Sequence, residues 1–417
     1  MRIGRKIIPK KIFKAGQPAY HWLLAFVAAL IYRFPSRKIF VLGVTGTKGK
    51  TSTIEIINVI LAEAGYKTAL ASSLRFKIDK ESEKNEFKMT MPGRFFLQKF
   101  LRKAVKAGCQ YVILEMTSEG AVQYRHKFVQ LNAMMFTNIS PEHIESHGSF
   151  EKYRDAKLKF FKALEKSRAK RKTIIVNEDD SAASFFLNFN VEEKIRFGLK
   201  NLSNYKIEKE GITFEIDGTP IKSKLSGEFN LYNILAAIAF VKSQNIGMNT
   251  IKSALEKFSG IEGRMEKIDE GQDFKVIVDY AHTPDSLEKV YEIFQDSRKI
   301  CVLGAAGGGR DKWKRPEMGK IASKHCDQVI LTNEDPYDEE PAKIVSDVKK
   351  GISSGRCEVI LDRREAIKKA LQGAKTGDAV IITGKGAEPW IMGPKGVKTR
   401  WDDREVAREE LRRLIVK

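Results

Sequence analysis

A glycine-rich segment near the beginning of the chain constrains the possible folds more strongly than any other feature of the sequence. Residues 43–52 are Gly-Val-Thr-Gly-Thr-Lys-Gly-Lys-Thr-Ser, the apolar run Lys38–Val44 predicts a strand, and Thr51–Ala64 predicts a helix. Glycines at such a junction let backbone N–H groups approach phosphate, and the helix N-terminus adds partial positive charge. The junction therefore predicts a phosphate-binding loop in an α/β fold.

Two side chains of this loop suit a nucleotide. Lys50 can reach the terminal phosphates, and Thr51 is placed to bind Mg²⁺. The general spacing of such loops would have glycine at position 44, where this chain has Val44. The alternative, a turn that serves only packing, would leave Lys48 and Lys50 unexplained. We predict a nucleotide site made of Gly46, Thr47, Lys48, Gly49, Lys50, Thr51 and Ser52.

Apolar runs alternate with helical patterns from residue 38 onward, which is typical of parallel α/β units. The predicted strands are Tyr111–Leu114, Ala133–Thr137, Thr173–Val176 and, after the pattern restarts near residue 263, Lys275–Val278, Lys299–Leu303, Gln328–Thr332, Cys357–Leu361 and Ala379–Thr383. Between the two series, Tyr205–Leu225 predicts hairpin strands at the sheet edge, and Asn230–Val241 predicts a helix.

This pattern predicts three parts of the chain. Residues 38–262 form a central α/β domain that contains the phosphate loop, and residues 263–417 form a C-terminal, doubly wound, Rossmann-like domain. Residues 1–37 form a separate basic and apolar segment. Because ligands of such folds bind where domains meet, we expect both domains to supply residues to the chemistry.

The charge of the chain is unusual, whereas its cysteines are not. The 417 residues include 74 Lys+Arg and 53 Asp+Glu, a net charge of +21. Such a surface attracts nucleic acid, anionic lipid or phosphorylated small molecules, although solvated helix faces explain it equally well. No motif favours nucleic acid. Cys109, Cys301, Cys326 and Cys357 form no C-x-x-C pair, so we expect a reducing cytosol and neither zinc nor a disulfide framework.

The N-terminal segment leaves two interpretations open. Six basic residues and no acid occur in residues 1–14, and the run Ala19–Tyr32 is almost wholly apolar. The run is shorter than the roughly 20 apolar residues of a membrane-spanning helix, and it lacks the cleavage site of a signal peptide. It predicts either a helix in the membrane interface, with Tyr20, Trp22 and Tyr32 at the headgroups, or a helix that packs on the protein.

A carboxylate stands at the end of a predicted strand. Glu115 follows Tyr111–Leu114, and a carboxylate there, beside a phosphate loop, is well placed for Mg²⁺. The loop sequence Gly-Thr-x-Gly-Lys-Thr after a strand resembles that of the Mur ligases and folylpolyglutamate synthases, and the resemblance continues over residues 38–417. Its motifs are most similar to those of the Mur ligases that add the third residue of the stem peptide.

This resemblance implies an enzyme that uses ATP to activate a carboxylate as an acyl phosphate and couples it to an amino acid, on a peptidoglycan precursor. It implies catalytic roles for Lys50, Glu115, His143 and Lys157, two Mg²⁺ ions held near Thr51, Glu115, His143 and Lys157, and carbamylation of Lys157. Without the resemblance, Lys157 would be interpreted as a surface lysine.

The resemblance also implies contact residues for each substrate. Those near ATP are Asn230, Asn233, Arg264, Asp279 and His282. Those near the muramoyl peptide are Thr90, Ser118, Gln123 and Arg125, and those near the added amino acid are Arg310, Glu334, Asp335, Lys385 and Glu388. Two positions depart from the family pattern on the acceptor side: Glu119 replaces a frequent histidine, and Thr90-Met91-Pro92 lacks one threonine of a Thr-Thr-Pro loop.

Two larger departures concern the substrates. The family's Asp-Asn-Pro-Arg, whose arginine contacts the far carboxylate of diaminopimelate, is Glu334-Asp335-Pro336-Tyr337 here. Because unpaired carboxylates favour a cation, this predicts a lysine-like added residue. The phosphate loop begins near residue 43, which leaves no room for the family's N-terminal UDP-binding domain. The acceptor is therefore expected to be held differently, or to be lipid-linked.

Two other functions stay open. A related ligase could make a poly-γ-glutamyl or cyanophycin-like product, and the net charge is compatible with a nucleic-acid-stimulated ATPase. A scaffold without turnover is disfavoured by the set Lys50, Glu115, His143 and Lys157. We expect a monomer in the cytoplasm, at the inner face of the plasma membrane if residues 1–37 bind it.

Overall fold

The structure is a computed structural model that describes residues 10–87, 89–142, 144–208, 210–353 and 357–415, with side chains described from residue 16 onward. The chain divides into two compact units. The first contains the described residues of Met1–Pro141, with Ser149–Ser203 and Tyr232–Leu255. The second contains those of Glu142–Gly148, Asn204–Leu231 and Glu256–Lys417. The domain limits drawn from the sequence stay a prediction.

Up to residue 203 the elements are α1 Lys10–Ile31, β1 Phe40–Thr45, α2 Lys50–Glu63, β2 Thr68–Ala71, β3 Arg75–Ile78, β4 Glu81–Lys84, α3 Arg94–Lys106, β5 Tyr111–Glu115, α4 Ser118–Val122, β6 Ala133–Phe136, α5 Ile144–His147, α6 Phe150–Glu165, β7 Thr173–Asn177, α7 Ala183–Leu187 and β8 Glu193–Phe197. After residue 203 they are β9 Asn204–Glu208, β10 Gly211–Ile216, β11 Thr219–Ser223, α8 Glu228–Ser243, α9 Met248–Lys257, β12 Glu266–Ile268, β13 Lys275–Asp279, α10 Pro284–Glu292, β14 Lys299–Leu303, α11 Lys314–His325, β15 Gln328–Leu331, α12 Pro341–Lys349, β16 Cys357–Val359, α13 Arg363–Gln372, β17 Ala379–Thr383, β18 Trp390–Met392, β19 Lys398–Arg400 and α14 Asp403–Ile415.

The sheet of the first unit has the strand order β4-β3-β2-β5-β1-β6-β7-β8. β1 lies between β5 and β6 and pairs in parallel with both. Its apolar residues are buried because helices cover the sheet; α3, α6 and α7 contribute Leu101, Phe160 and Phe186 to one apolar cluster with the strands. The carboxyl ends of parallel strands lie at one edge, so the segments after β1, β5 and β6 are neighbours.

The sheet of the second unit has the order β12-β13-β17-β14-β15-β16. All its pairings are parallel except that of β12 with β13. The five strands predicted from the later apolar runs are therefore confirmed, and all of them belong to this sheet. The loops after β13, β14, β15 and β17 lie at the carboxyl edge of the sheet, where ligands of doubly wound folds bind.

The predicted hairpins exist, but they do not extend a sheet edge. β9, β10 and β11 form a separate antiparallel sheet of three strands. Asp217 and Gly218 connect β10 to β11 with φ angles of 50° and 69°, as the two central residues of a tight hairpin turn require. The placement at the sheet edge was wrong because alternation predicts strands without identifying the strands they pair with.

The predicted N-terminal helix is confirmed as α1. Its small residues Ala25, Ala28 and Ala29 are buried, and the helix packs against α3. Leu23 and Ile31, on the other hand, are 54% and 60% exposed. No described helix of the chain is long and apolar enough to cross a membrane. The helix thus has one face packed on the protein and another that carries exposed apolar side chains.

One expectation about the cysteines is wrong. Cys301 in β14 and Cys326 after α11 form a disulfide, although they are 25 residues apart and match no spacing motif. Cys109 and Cys357 are free. The pair could not be found from the sequence because it depends on how α11 packs beside β14.

Candidate active site

The phosphate loop joins β1 to α2 and has no space for side chains at two of its glycines. A Cβ atom at Gly46 would overlap the hydroxyl of Thr137, and one at Gly49 would overlap the amide oxygen of Asn233. Gly49 also has a φ of 78°, a conformation that L side chains rarely adopt. These two positions therefore require glycine, because the loop backbone packs closely against Thr137 and Asn233.

The segment after β6 holds the loop by hydrogen bonds. The backbone N–H of Thr47 donates to the carbonyl oxygen of Asn138 at 2.9 Å, and the N–H of Lys48 donates to Oδ1 of Asn138 at 2.9 Å. Oγ1 of Thr137 donates to the carbonyl oxygen of Lys48 at 2.8 Å. These hydrogen bonds hold the loop in a defined shape.

Two lysines direct their ammonium groups at the same carbonyl oxygen of the loop. Nζ of Lys50 donates to the carbonyl oxygens of Gly46 at 3.1 Å and Thr47 at 2.9 Å. Nζ of Lys157 donates to that of Gly46 at 2.7 Å, and Lys157 is only 1% exposed. The interpretation of Lys157 as a surface lysine is therefore wrong. Two positive charges at this loop suit a polyphosphate.

Thr51 and Glu115 form a group of oxygen atoms beside the loop. Oγ1 of Thr51 donates to Oε2 of Glu115 at 3.0 Å, and the backbone N–H of Ser73 donates to the same oxygen at 2.8 Å. Oγ of Ser73 lies 2.8 Å from Oγ1 of Thr51. A buried carboxylate with two hydroxyls is a set of hard oxygen donors, which is what Mg²⁺ prefers.

Three of the residues expected near the nucleotide differ in their contacts with the phosphate loop. Ser52 is buried in the first turn of α2. Asn233 lies against the loop, where its Oδ1 accepts a hydrogen bond from Oγ1 of Thr53 at 3.3 Å. Asn230 is also buried, and its Nδ2 donates to the carbonyl oxygen of Ser226 at 2.8 Å. Asn233 is therefore the residue of this pair that shapes the loop.

In the second unit, Asp279 organises the carboxyl end of β13. Its Oδ2 accepts a hydrogen bond from the N–H of Met265 at 2.7 Å, and its Oδ1 accepts one from the N–H of Ala281 at 2.6 Å. The neighbouring guanidinium of Arg264 lies 4.1 Å from the centre of the Tyr280 ring. Asp279 thereby holds the segments that carry Arg264 and Tyr280.

His282 bridges two segments of the same unit. Its Nδ1 lies 2.7 Å from the carbonyl oxygen of Tyr280, and its Nε2 lies 3.3 Å from Oε1 of Glu142. The residue after Glu142 is His143, which lies outside the described residues, so its predicted metal role stays a prediction. The contact of His282 with Glu142 brings the segment that precedes α5 to the end of β13.

A buried cluster of charges follows β15 and β17. Nζ of Lys385 donates to Oδ1 of Asp335 at 2.8 Å and to Oε2 of Glu388 at 2.7 Å. Burial alone would lower the pKa of Lys385, but the carboxylates around it raise it. Oε2 of Glu334 has no hydrogen-bond partner among the described residues. Burial, and then the charge of Asp335, raise the pKa of Glu334.

Tyr337 occupies the position at which the family pattern has an arginine. Burial and Asp335 raise the pKa of Tyr337, whereas the adjacent Arg310 lowers it, so Arg310 lies beside this phenol. The hydroxyl of Tyr280 donates to Oε1 of Glu388 at 3.0 Å. The predicted amino-acid contacts are therefore brought together at the carboxyl edge of the second sheet, with two tyrosines among them.

The predicted acceptor residues lie around α4 of the first unit. Oε1 of Gln123 accepts hydrogen bonds from Nε and Nη2 of Arg125 at 3.2 and 2.7 Å. Nη1 of Arg125 donates to the carbonyl oxygen of Met91, directly after the half-buried Thr90. Ser118 is the buried first residue of α4. The Thr90 loop is thus joined to the end of α4 through Arg125.

Comparison with known proteins agrees with this arrangement. Sequence profiles described as the Mur ligase middle domain and as the Mur ligase, glutamate ligase domain match residues 44–241 and 263–386. UDP-N-acetylmuramoyl-L-alanyl-D-glutamate--2,6-diaminopimelate ligase of Syntrophomonas wolfei is 38% identical over 404 residues, which cover 93% of this chain and 81% of that protein. The protein of the same name from Bacillus cereus is 35% identical over 402 residues, with coverages of 93% and 81%.

The chain belongs to the Mur ligase family.

Solved structures agree with this membership. One of a protein with the same diaminopimelate ligase name has a TM-score of 0.61 and 29% identity, and covers 90% of this chain and 79% of that chain. Folylpolyglutamate synthase of Mycobacterium tuberculosis shares the fold, with a TM-score of 0.71 at 14% identity, over 89% of this chain and 96% of that chain. The predicted family, the α/β fold class and the class of ATP-dependent acid–amino-acid ligase are confirmed.

Three residues near the Mur ligase motifs were not predicted from the sequence. The hydroxyl of Tyr153 lies 3.1 Å from Oγ1 of Thr47. Ser73 contacts Thr51 and Glu115, and the hydroxyl of Tyr280 donates to Glu388. A signal existed for Tyr153, because it precedes Lys157 by four residues on α6 and so shares its face. Ser73 follows a short strand in a loop without any motif, and nothing in the sequence separates it from other serines.

Proposed function

We propose that this Mur ligase adds an amino acid to a peptidoglycan precursor, a UDP-N-acetylmuramoyl peptide or a related form of it. The observation that carries the proposal is the convergence of Lys50 and Lys157 on the carbonyl oxygen of Gly46, beside the pair Thr51 and Glu115. A loop of this kind binds the triphosphate of ATP, and Lys50 neutralises the terminal phosphate. The names of the Syntrophomonas wolfei and Bacillus cereus relatives contain such a UDP-N-acetylmuramoyl peptide.

The reaction needs no nucleophile from the protein. A carboxylate oxygen of the acceptor attacks the terminal phosphorus of ATP, ADP leaves, and an acyl phosphate results. The amine of the added amino acid then attacks the acyl carbon, and phosphate leaves as the amide bond forms. Lys50 stabilises negative charge on the transferred phosphoryl group, and the loop backbone orients it. Ser118, Gln123 and Arg125 hold the acceptor.

Thr51 and Glu115 fit a Mg²⁺ ion, since both present oxygen atoms and Glu115 is buried beside the loop. Mg²⁺ would neutralise the phosphate oxygens there. The binding of a second ion by His143 and Lys157, which the family resemblance implies, stays a prediction. Carbamylation of Lys157 would turn this buried ammonium into a carboxylate, as such an ion requires, and the shielding of its Nζ from solvent supports that prediction.

We further propose that the added amino acid is lysine-like. Glu334, Asp335 and Glu388 lie around Lys385, and Glu334 keeps an acceptor atom without a partner among the described residues. The side-chain ammonium of a lysine-like substrate would donate to this acceptor atom. Tyr337 offers no positive charge for the far carboxylate of diaminopimelate.

Residues 1–37 are proposed to touch the membrane surface while the protein remains a cytoplasmic monomer. The exposed apolar side chains of α1 support this, with Trp22 at 46% and Leu23 at 54% exposure. A helix that carries such side chains beside basic residues binds anionic bilayers. In a vesicle sedimentation assay, the double variant Trp22→Ser, Leu23→Ser should bind anionic vesicles less than wild type. Unchanged binding would contradict the proposed membrane contact.

The function is tested with purified protein, ATP, Mg²⁺, candidate acceptors and a panel of amino acids. ADP release should depend on both an acceptor and an amine, and mass spectrometry should detect the amide product. Lys50→Met should abolish release, whereas an exposed-lysine variant, Lys99→Met, should retain it. Stimulation by RNA or DNA without any acceptor would instead support the nucleic-acid-dependent ATPase.

A further inference from the structure

Three basic side chains from three segments of the first unit lie together. They are His21 in α1, Arg94 at the first turn of α3, and Arg125 after α4. Nη2 of Arg94 donates to the carbonyl oxygen of Gln123, two residues from Arg125. In return, Nη1 of Arg125 donates to the carbonyl oxygen of Met91, three residues from Arg94. These reciprocal hydrogen bonds hold the two guanidinium groups near one another.

Helix α1 brings the third member of the cluster. The rings of Trp22 and Phe26 meet the ring of Phe128 at centroid distances of 5.2 and 5.4 Å, both edge to face. This contact fixes α1 against the segment that follows Arg125. Burial, followed by the charges of Arg94 and Arg125, lowers the pKa of His21.

The cluster has positive charge that the described part of the chain does not balance. Neither Arg94 nor Arg125 forms an ion pair with a carboxylate there, and Glu119 is the acid whose charge acts on Arg125. Burial and then Arg125 lower the pKa of Arg94, the result expected of two cations held together. Nδ1 of His21 and Nε of Arg94 are buried without hydrogen-bond partners among the described residues. The unpaired Nε–H of Arg94, together with an N–H at Nδ1 in one tautomer of His21, suits an oxyanion.

We propose that His21, Arg94 and Arg125 bind the phosphate or diphosphate group that carries the sugar of the acceptor. The assignment rests on the proposed function, which supplies an acceptor of this chemistry. Arg125 was already expected to contact the acceptor, so His21 and Arg94 are the new residues. Gly93, the residue before α3, caps the helix without a side-chain hydrogen bond, which leaves the positive end of the helix facing the same ligand.

The diphosphate could belong to a soluble nucleotide-sugar or to a lipid-linked sugar, and both would present the same oxygens to the cluster. Tyr20 and Trp22, which flank His21, are 45% and 46% exposed. A lipid chain leaving the diphosphate at this point would meet these apolar side chains, whereas a nucleoside would leave toward solvent. The test therefore includes both forms.

The experiment measures the affinity of three acceptors for the full chain by calorimetry, with ADP and Mg²⁺ present. The acceptors are a phosphate-free muramoyl dipeptide, its UDP-linked form and its lipid diphosphate form in detergent. The wild-type protein should bind the two phosphate-bearing forms about 10- to 100-fold more tightly than the phosphate-free one. Arg94→Gln should remove most of this difference and leave binding of the phosphate-free dipeptide unchanged, and His21→Gln should remove a smaller part.

A matched control is Lys99→Gln, which removes an exposed cation from the same helix and should keep the preference. If Arg94→Gln fails to fold, Arg94→Lys provides the comparison, with an intermediate loss. A loss of affinity for only the UDP-linked or only the lipid-linked acceptor would support the site and show which of the two acceptors it binds. Equal weakening of all three acceptors, or no phosphate preference in the wild type, would overturn it. Turnover is measured separately. Tighter binding of the phosphate-bearing acceptors without formation of product would contradict the proposed function but not this site.

Discussion

Nζ of Lys157 and the carbonyl oxygen of Gly46 are 2.7 Å apart, and the ammonium group is enclosed between the phosphate loop and the ring of Tyr153. The contact joins α6 to the loop across 111 residues of sequence. Because Lys50 donates to the same oxygen, the loop is held from two sides by cationic groups. The shape of the phosphate loop thus depends in part on a residue of α6, which is far from the loop in sequence.

Replacement of Lys157 by methionine keeps most of the buried volume and removes the amine. We expect kcat to fall at least about 100-fold, because methionine can neither carry the proposed carbamate nor donate to the carbonyl oxygen of Gly46 in the phosphate loop. The thermal midpoint should change little by comparison. Steady-state ADP release gives kcat, and Lys162→Met, an exposed lysine on the same helix, is the matched control. A kcat within threefold of wild type for Lys157→Met would refute a catalytic role.

The pair Thr51 and Glu115 gives a prediction about magnesium. Glu115→Gln keeps the size of the side chain but removes the negative charge, so half-saturation of activity should need at least about tenfold more Mg²⁺. Thr51→Ser retains the hydroxyl and should behave nearly as wild type, whereas Thr51→Val should resemble the glutamine variant. A magnesium titration of ADP release separates these cases. Identical titrations for the valine and serine variants would show that the hydroxyl does not contribute.

Patterns local in sequence predicted the frame of the molecule. The apolar runs that became β1, β5, β6 and β13 were found because buried parallel strands are apolar throughout. The phosphate loop was found because its glycines and Lys50 are adjacent in sequence. The burial of Lys157 could not be found in this way, since it depends on α6 packing under a loop more than 100 residues away.

The candidate site was predicted less completely than the fold. The family resemblance supplied Asp335, Lys385 and Glu388, and the structure brings these three together. It did not supply Tyr280, whose hydroxyl reaches Glu388, because a tyrosine after a strand carries no signal of its own. Nor did it supply Arg94, since an arginine at a helix start is ordinary until its surroundings are known.

Tyr337 gives a prediction about the choice of amino acid. Wild-type protein should prefer L-lysine to meso-diaminopimelate in kcat/KM, because Glu334, Asp335 and Glu388 attract a side-chain ammonium and Tyr337 brings no positive charge to the far carboxylate. Tyr337→Arg should shift the ratio of the two kcat/KM values toward diaminopimelate by about tenfold or more, through a charge-assisted pair with its far carboxylate. Tyr337→Phe removes only the hydroxyl and should produce no such shift. A wild-type preference for diaminopimelate would contradict the lysine-like assignment.

His126 gives a prediction about stability at low pH. It is buried, it lies edge-on to Phe160 with ring centroids 5.0 Å apart, and burial lowers its pKa to about 3. In the unfolded chain the imidazole of His126 titrates near its ordinary pKa of about 6.5. Between pH 3 and pH 6.5 the unfolded state therefore binds more protons than the folded state, and the free energy of unfolding falls as the pH falls. The slope contributed by one such group reaches about 1.4 kcal/mol per pH unit. His126→Gln cannot take up this proton, so its free energy of unfolding, measured by urea titration from pH 7 to pH 4, should fall less steeply than that of wild type. Parallel slopes for the two proteins would mean that His126 is protonated in the folded state.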